Sequence, residues 1–114
     1  MKKLNVIMIV FLLSLGVYSA RAQNIFSVDA EYKATIKVYV TNSEYNADLI
    51  VYKVDASYKA EGNEGKWYFT DADYKADKKI FFVDASYKAD LVIFYADASY
   101  KAKWLNKSKV SLLN

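Results

Sequence analysis

The chain has 114 residues, of which 25% are charged and 54% hydrophobic, which bounds it at one domain with a modest core. It has no histidine and no cysteine; this excludes disulfides, the usual imidazole base of nucleophilic catalysis and the preferred ligands of zinc. Its formal charge of +3 comes from the first 22 residues, because Lys2, Lys3 and Arg21 precede a remainder with 13 lysines, 13 acids and no arginine. A neutral, arginine-free remainder gives no support to nucleic-acid binding, which needs a basic footprint and bidentate guanine readers.

The first element in chain order is a targeting segment. Lys2 and Lys3 precede a nearly unbroken apolar run from Leu4 to Val17, and Ala20-Arg21-Ala22 supplies a small–x–small cleavage pattern. The run is shorter than the ~20 residues that span a bilayer. A signal peptide over 1–22 is therefore predicted, with Gln23 opening the mature domain, 23–114. The product would be secreted, periplasmic or extracellular, and free of the membrane after cleavage. No cysteine follows the run, so lipid attachment is excluded.

From Gln23 onward the sequence repeats one unit, aromatic–x–x–Asp–Ala–x–Tyr–Lys–Ala. Its tyrosine falls at Tyr32, Tyr45, Tyr58, Tyr74, Tyr87 and Tyr100, with spacings of 13, 13, 16, 13 and 13. The long step holds Gly62-Asn63-Glu64-Gly65, which divides the array into two pseudo-symmetric groups of three. Asp29, Asn42, Asp55, Asp71, Asp84 and Asp97 occupy the column where a side chain starts a turn or caps one helical turn. The constant Ala34, Ala47, Ala60, Ala76, Ala89 and Ala102 imply close backbone approach at each turn.

Between turns lie short β-branched and aromatic runs, Ile36–Thr41, Leu49–Val54, Ile80–Val83 and Leu91–Ala96, which read as strands. Alternation directs Ile25, Val38, Val51, Trp67, Ile80 and Ile93 to the core. Phe26, Tyr39, Tyr52, Tyr68, Phe81 and Phe94 face the other way, onto a partly wet aromatic face that also carries Lys37, Thr41, Thr70 and Lys79. No segment keeps a helical period for three turns, although Asp-Ala-x-Tyr-Lys-Ala can form one helical turn. The fold class is all-β or β-rich: six 13-residue strand–turn repeats in two pseudo-symmetric halves. With disulfides absent, the 11 tyrosines, 6 phenylalanines and 2 tryptophans are the candidates for holding so short a chain together. Lys101, Lys103, Lys107 and Lys109 read as a solvated tail.

The Asp-Ala-Ser-Tyr-Lys-Ala-Asp unit at 84–90, the Gly62-Asn63-Glu64-Gly65-Lys66-Trp67 hinge and the Trp104-Leu105-Asn106-Lys107-Ser108-Lys109 ending together resemble the bacterial 7(1) septoil knot domain family. Tyr45-Asn46-Ala47 and the Lys103 before Trp104 depart from that pattern. The resemblance covers nearly all of 23–114. It implies a small β-rich domain tied as a seven-crossing torus knot, a topology that general rules on chain connections disfavour. It implies no biochemical activity.

Ser57/Lys59, Ser86/Lys88 and Ser99/Lys101 are formal Ser–Lys pairs, but a feature that recurs with the repeat reads as structure. The same holds for Asp71/Asp73 and Asp84/Asp90, since a glycosidase needs two carboxylates in unequal surroundings. Calcium would need 6–8 oxygens, and the column Thr35, Asp48, Glu61, Asp77, Asp90, Lys103 is too variable to supply them. No catalytic, cofactor-binding or metal-binding residue is therefore assigned, and no cofactor is expected. The expectation is a secreted, non-enzymatic structural or binding module. A glycan or protein partner on the aromatic face (Tyr39, Tyr52, Tyr68) is the alternative, as is an enzyme acting on cell-wall material. Asn106-Lys107-Ser108 matches a glycosylation acceptor by accident of composition.

Overall fold

In the computed structural model, which describes residues 23–114, seven strands alternate with short 3₁₀ turns. The strands are β1 (Asn24–Ser27), β2 (Ile36–Val40), β3 (Leu49–Lys53), β4 (Lys66–Phe69), β5 (Lys78–Phe82), β6 (Leu91–Tyr95) and β7 (Lys103–Trp104). The segment read as a signal peptide lies outside the described residues. Each repeat forms its single helical turn where the sequence allowed one, at Glu31–Lys33, Glu44–Asn46, Ser57–Lys59, Asp73–Lys75, Ser86–Lys88 and Ser99–Lys101.

The strands pair in the order β4-β1-β5-β2-β6-β3, and a further parallel pairing of β3 with β4 closes the sheet into a six-membered ring. All pairs within the ring are parallel, and β7 adds antiparallel to β3. The first three strands thus take alternate places, and the next three fill the gaps on a second circuit. The two groups of three are interleaved rather than set side by side.

Register shows how the interleaving is made. Ser27 and Ile36 both pair with Ile80, one on each side. The excursion 28–35 between them must therefore pass across β5. Val40 and Leu49 flank Ile93 in the same way, Phe82 and Leu91 flank Val38, and Phe69 and Lys78 flank Ile25. Since the core fills the inside of the ring, these crossings run over its outside, and they half-cover the outward aromatic column.

One hydrogen bond is repeated in all six units. The residue just before each turn donates its N–H to the carbonyl of a core-column residue: Val28 to Ile80, Thr41 to Ile93, Val54 to Trp67, Thr70 to Ile25, Val83 to Val38 and Ala96 to Val51, at 2.7–2.9 Å. Followed from unit to unit, the bonds make one closed cycle in the order of the ring. The repeats are therefore structural copies that share a single backbone path.

Ile25, Val38, Val51, Trp67, Ile80 and Ile93 are all fully buried, as alternation required, together with Ile36, Leu49, Leu91 and Leu113. Burial of each such side chain contributes on the order of 1.5–3 kcal/mol. The buried core is aliphatic apart from Trp67, with Phe69, Phe82, Tyr95 and Trp104 packed against it; the expectation that aromatic rings hold the chain together is corrected only for the six repeat tyrosines, which are 73–90% exposed. Thr41 and Thr70 also depart from the wet face assigned to them. Both are buried, because each Oγ1 accepts the N–H two residues on, from Ser43 at 3.2 Å and Ala72 at 3.4 Å.

The two ends of the ring differ. At the end where the strands begin, the terminal segment Lys107–Leu113 folds back as a plug. Leu113 is buried there and its carbonyl accepts from Gln23 Nε2 at 3.1 Å, while Lys78 Nζ reaches the carbonyl of Asn114 at 2.9 Å. Lys109 Nζ contacts Asp48 Oδ2 at 3.3 Å and the carbonyl of Asp90 at 2.9 Å. Lys109 is thus part of the fold rather than of a solvated tail, whereas the side chains of Lys103 and Lys107 are exposed. At the opposite end Phe69, Phe82 and Tyr95 pack under the core, and the ammonium of Lys53 lies 4.3 Å from the Tyr95 ring centroid and 5.5 Å from that of Phe69. Burial pushes the Tyr95 phenol up to about 12.

Candidate functional site

The outer rim of the ring is built from the six turns. In four units the aspartate and the lysine four residues on form an ion pair: Asp29–Lys33 at 3.0 Å, Asp55–Lys59 at 2.7 Å, Asp84–Lys88 at 3.0 Å and Asp97–Lys101 at 2.8 Å. The hydrogen bond from each ammonium, and then its charge, hold these four carboxyls below the usual carboxylate range. The same bonds raise Lys59 and Lys101. This corrects the capping role expected of the column. The residue at the start of each 3₁₀ turn is Ala or Ser with no side-chain cap, and the aspartate reaches along the turn to its lysine.

The acids that bind backbone are those of the column judged too variable for calcium. Asp48, Asp77 and Asp90 each donate their N–H to a carbonyl of the neighbouring circuit, on Val92, Asn24 and Lys37 respectively, at 2.7–2.8 Å. Their carboxylates accept the N–H of the same three residues at 2.8–2.9 Å. Each acid therefore grips one residue at two points and fixes where the excursion lands. Thr35 makes the shorter version, donating both its N–H and Oγ1 to the carbonyl of Lys79. Asp48 is further engaged by Asn106 Nδ2 and Lys109 Nζ. Among the described residues no cluster of three acidic side chains is placed to hold a metal ion.

Tyr32, Tyr45, Tyr58, Tyr74, Tyr87 and Tyr100 stand at the turn tips, and alternation missed them as surface because the strand period does not extend through a 3₁₀ excursion. The tyrosines that sequence reasoning did favour for binding, Tyr39, Tyr52 and Tyr68, are half-buried beneath the crossings. Of these three, Tyr52 lines an open groove.

Grooves lie between neighbouring excursions, and three share one plan. One, of about 620 Å³, has Phe81, Val83, Asp84 and Lys88 on one side and Glu31 and Lys37 on the other. A second, of about 550 Å³, sets Phe26, Val28, Asp29 and Lys33 against Asp73 and Lys79. The third, of about 460 Å³, sets Tyr52, Val54, Tyr58, Lys59 and Glu61 against Ser99 and Lys66. Each floor residue comes from the outward aromatic column, and each wall takes a lysine from both neighbours. In the first groove Glu31 and Lys37 are themselves paired at 3.3 Å.

A closed ring of parallel strands, laid down in two interleaved circuits by one repeated strand–turn unit, defines a small repeat-built β-domain with its chain wound around itself. The chain belongs to the 7(1) septoil knot domain family, whose model matches residues 22–105. No curated protein and no solved structure matches it. The matched residues end before the plug, Lys107–Leu113.

Proposed function

We propose that this is a secreted, non-enzymatic structural or binding module whose knotted ring gives it kinetic rather than equilibrium durability. The observation that carries the reading is the closed cycle of equivalent hydrogen bonds running through both circuits. A chain interleaved in this way unfolds only after a terminus is withdrawn from the ring, and the plug sits over one end. Durability of that kind suits a cysteine-free protein outside the cell. Loss of structure in strong guanidinium is expected with a half-life of roughly hours or longer, beyond that of ordinary small domains of moderate stability. Complete unfolding within seconds would contradict it.

The tips favour a second element of this reading, multi-point binding through the rim. One exposed tyrosine is ordinary on a protein surface, but here the same side chain stands 73–90% exposed at all six tips. Display of one motif at six tips suits a repetitive ligand, where weak contacts add through effective concentration. An enzyme acting on cell-wall material is less well supported. It needs carboxylates in unequal environments, whereas the rim acids are held alike, and Lys59 and Lys101 are held protonated rather than poised as bases.

A further inference from the structure

Three features narrow the kind of ligand the rim can take. The first is charge. The grooves over Phe26 and Phe81 each carry two acids and two lysines, Asp29, Asp73, Lys33 and Lys79 in one and Glu31, Asp84, Lys37 and Lys88 in the other; the groove over Tyr52 carries Glu61, Lys66 and Lys59, the last paired with Asp55 at 2.7 Å. Balanced and largely paired charges give no net field to concentrate a polyanion or polycation, yet they leave carboxylate and ammonium groups free to bond hydroxyls. The second is the floor. A half-buried ring flanked by a valine offers a flat apolar face with polar groups on both walls, the usual make-up of a small-molecule subsite. The third is the closed sheet. The six ring strands leave no free edge, and β7, which pairs with β3 alone, is only two residues long, too short for main-chain augmentation by an extended peptide. The grooves are also separated by the excursions, which breaks up the continuous patch of roughly 800 Å² that a stable protein partner covers.

From these features we infer that the inter-unit grooves over Phe26, Tyr52 and Phe81 are repeated subsites for a neutral polysaccharide, each seating a sugar ring on its aromatic floor. The inference rests on the reading of the rim as a binding surface and adds the ligand class and the place. A single groove binds weakly, and a polymer spanning several gains roughly 10²–10⁴ in avidity.

The test combines two measurements on the mature chain. Cellohexaose, chitohexaose and xylohexaose are titrated at millimolar concentration while backbone amide shifts are followed. Amorphous cellulose, chitin and insoluble xylan are used for sedimentation, with heparin beads as the anionic control. For at least one neutral sugar, shifts are expected at Phe26, Tyr52 and Phe81 and at Lys33, Lys59 and Lys88. The matching polymer should carry the protein down. Replacing the three floor residues together (Phe26→Thr, Tyr52→Thr, Phe81→Thr) should lower sedimentation at least tenfold, with the unfolding half-life confirming that the variant keeps its ring. A second variant with Tyr45→Ser, Tyr74→Ser and Tyr100→Ser changes tips that line none of the three grooves and should retain most binding. If shifts fall on the tips, and the tip variant alone loses binding, the groove assignment is overturned while the binding module stands. Capture by heparin beads alone would overturn the charge argument. No shift and no sedimentation with any neutral sugar would overturn both the inference and the binding reading, without touching the durability of the ring.

Discussion

Replacement of Gly65 by alanine is expected to damage the fold far more than the same change at Gly62, three residues away. Both glycines adopt positive φ, +72° at Gly62 and +95° at Gly65, so both substitutions carry the left-handed backbone penalty of about 1–2 kcal/mol. At Gly62 an added Cβ meets nothing within 4 Å. At Gly65 it would lie 2.3 Å from the carbonyl oxygen of Ile50, with Leu49 Cδ1 at 3.2 Å and Ala102 Cβ at 3.3 Å. That oxygen belongs to the backbone of a fully buried strand residue and cannot swing aside as a flexible side chain would. Overpacking of this kind adds about 1–3 kcal/mol. Gly65→Ala is therefore expected to lose about 2–5 kcal/mol in total, against about 1–2 for Gly62→Ala. Guanidinium transitions measure both, with refolding and unfolding samples incubated until they coincide, because slow interconversion would otherwise distort the midpoints. Equal midpoints for the two variants would refute the close approach of the hinge to β3.

Three further outcomes follow from the same geometry. Asp48→Ala leaves the N–H of Val92 without its carboxylate and frees Asn106 and Lys109; a loss of about 2–4 kcal/mol is expected by denaturation, exceeding that of Asp77→Ala, which removes a single such bond. Leu113→Ala should cost about 2–4 kcal/mol and increase binding of a hydrophobic dye, since it opens the plugged end of the ring. The third concerns pH. An unfolded tyrosine ionises near 10 and the Tyr95 phenol only at about 12, so between those values the unfolded chain releases a proton that the folded chain keeps. Stability should fall with rising pH across that window and level off above it, and Tyr95→Phe should flatten the fall. On the acid side the sign is opposite. The lowered carboxyls of Asp29, Asp55, Asp84 and Asp97 contribute above the unfolded aspartate value, and their contribution disappears as pH drops through the folded values. Asparagine at all four should reduce that acid dependence.

The core column was legible in the sequence because a strand alternates with period two, and six copies of the unit set Ile25, Val38, Val51, Trp67, Ile80 and Ile93 in register with one another. The single helical turn per unit was legible for a similar reason. Strand order was not. In the ring the first-circuit strands pair with residues 44 or 53 positions away, as Ile36 with Ile80 and Ser27 with Ile80, except at the closure, where Tyr52 meets Lys66 only 14 positions on. Near-identical units contain nothing local to say which copy meets which. The tips were misjudged because tyrosine is counted with the apolar residues, while its place on an outward 3₁₀ excursion decides its exposure. The differences between ring ends were also hidden. Ser27, Val40 and Lys53 occupy the positions that Phe69, Phe82 and Tyr95 hold in the second circuit, and only closure of the ring brings the two sets alternately around one opening. Lys53 among those rings shows that the copies, although alike in backbone, are not all alike in chemistry.

The interleaving of the two circuits is tested most directly by nuclear Overhauser contacts between backbone protons of a labelled sample. Contacts from Ile80 to both Ser27 and Ile36, from Ile93 to both Val40 and Leu49, and from Tyr52 to Lys66 are expected, because these residues are register partners across the ring. Direct pairing of β1 with β2 and of β2 with β3, as in a simple stacked solenoid, would contradict the fold and everything inferred from it.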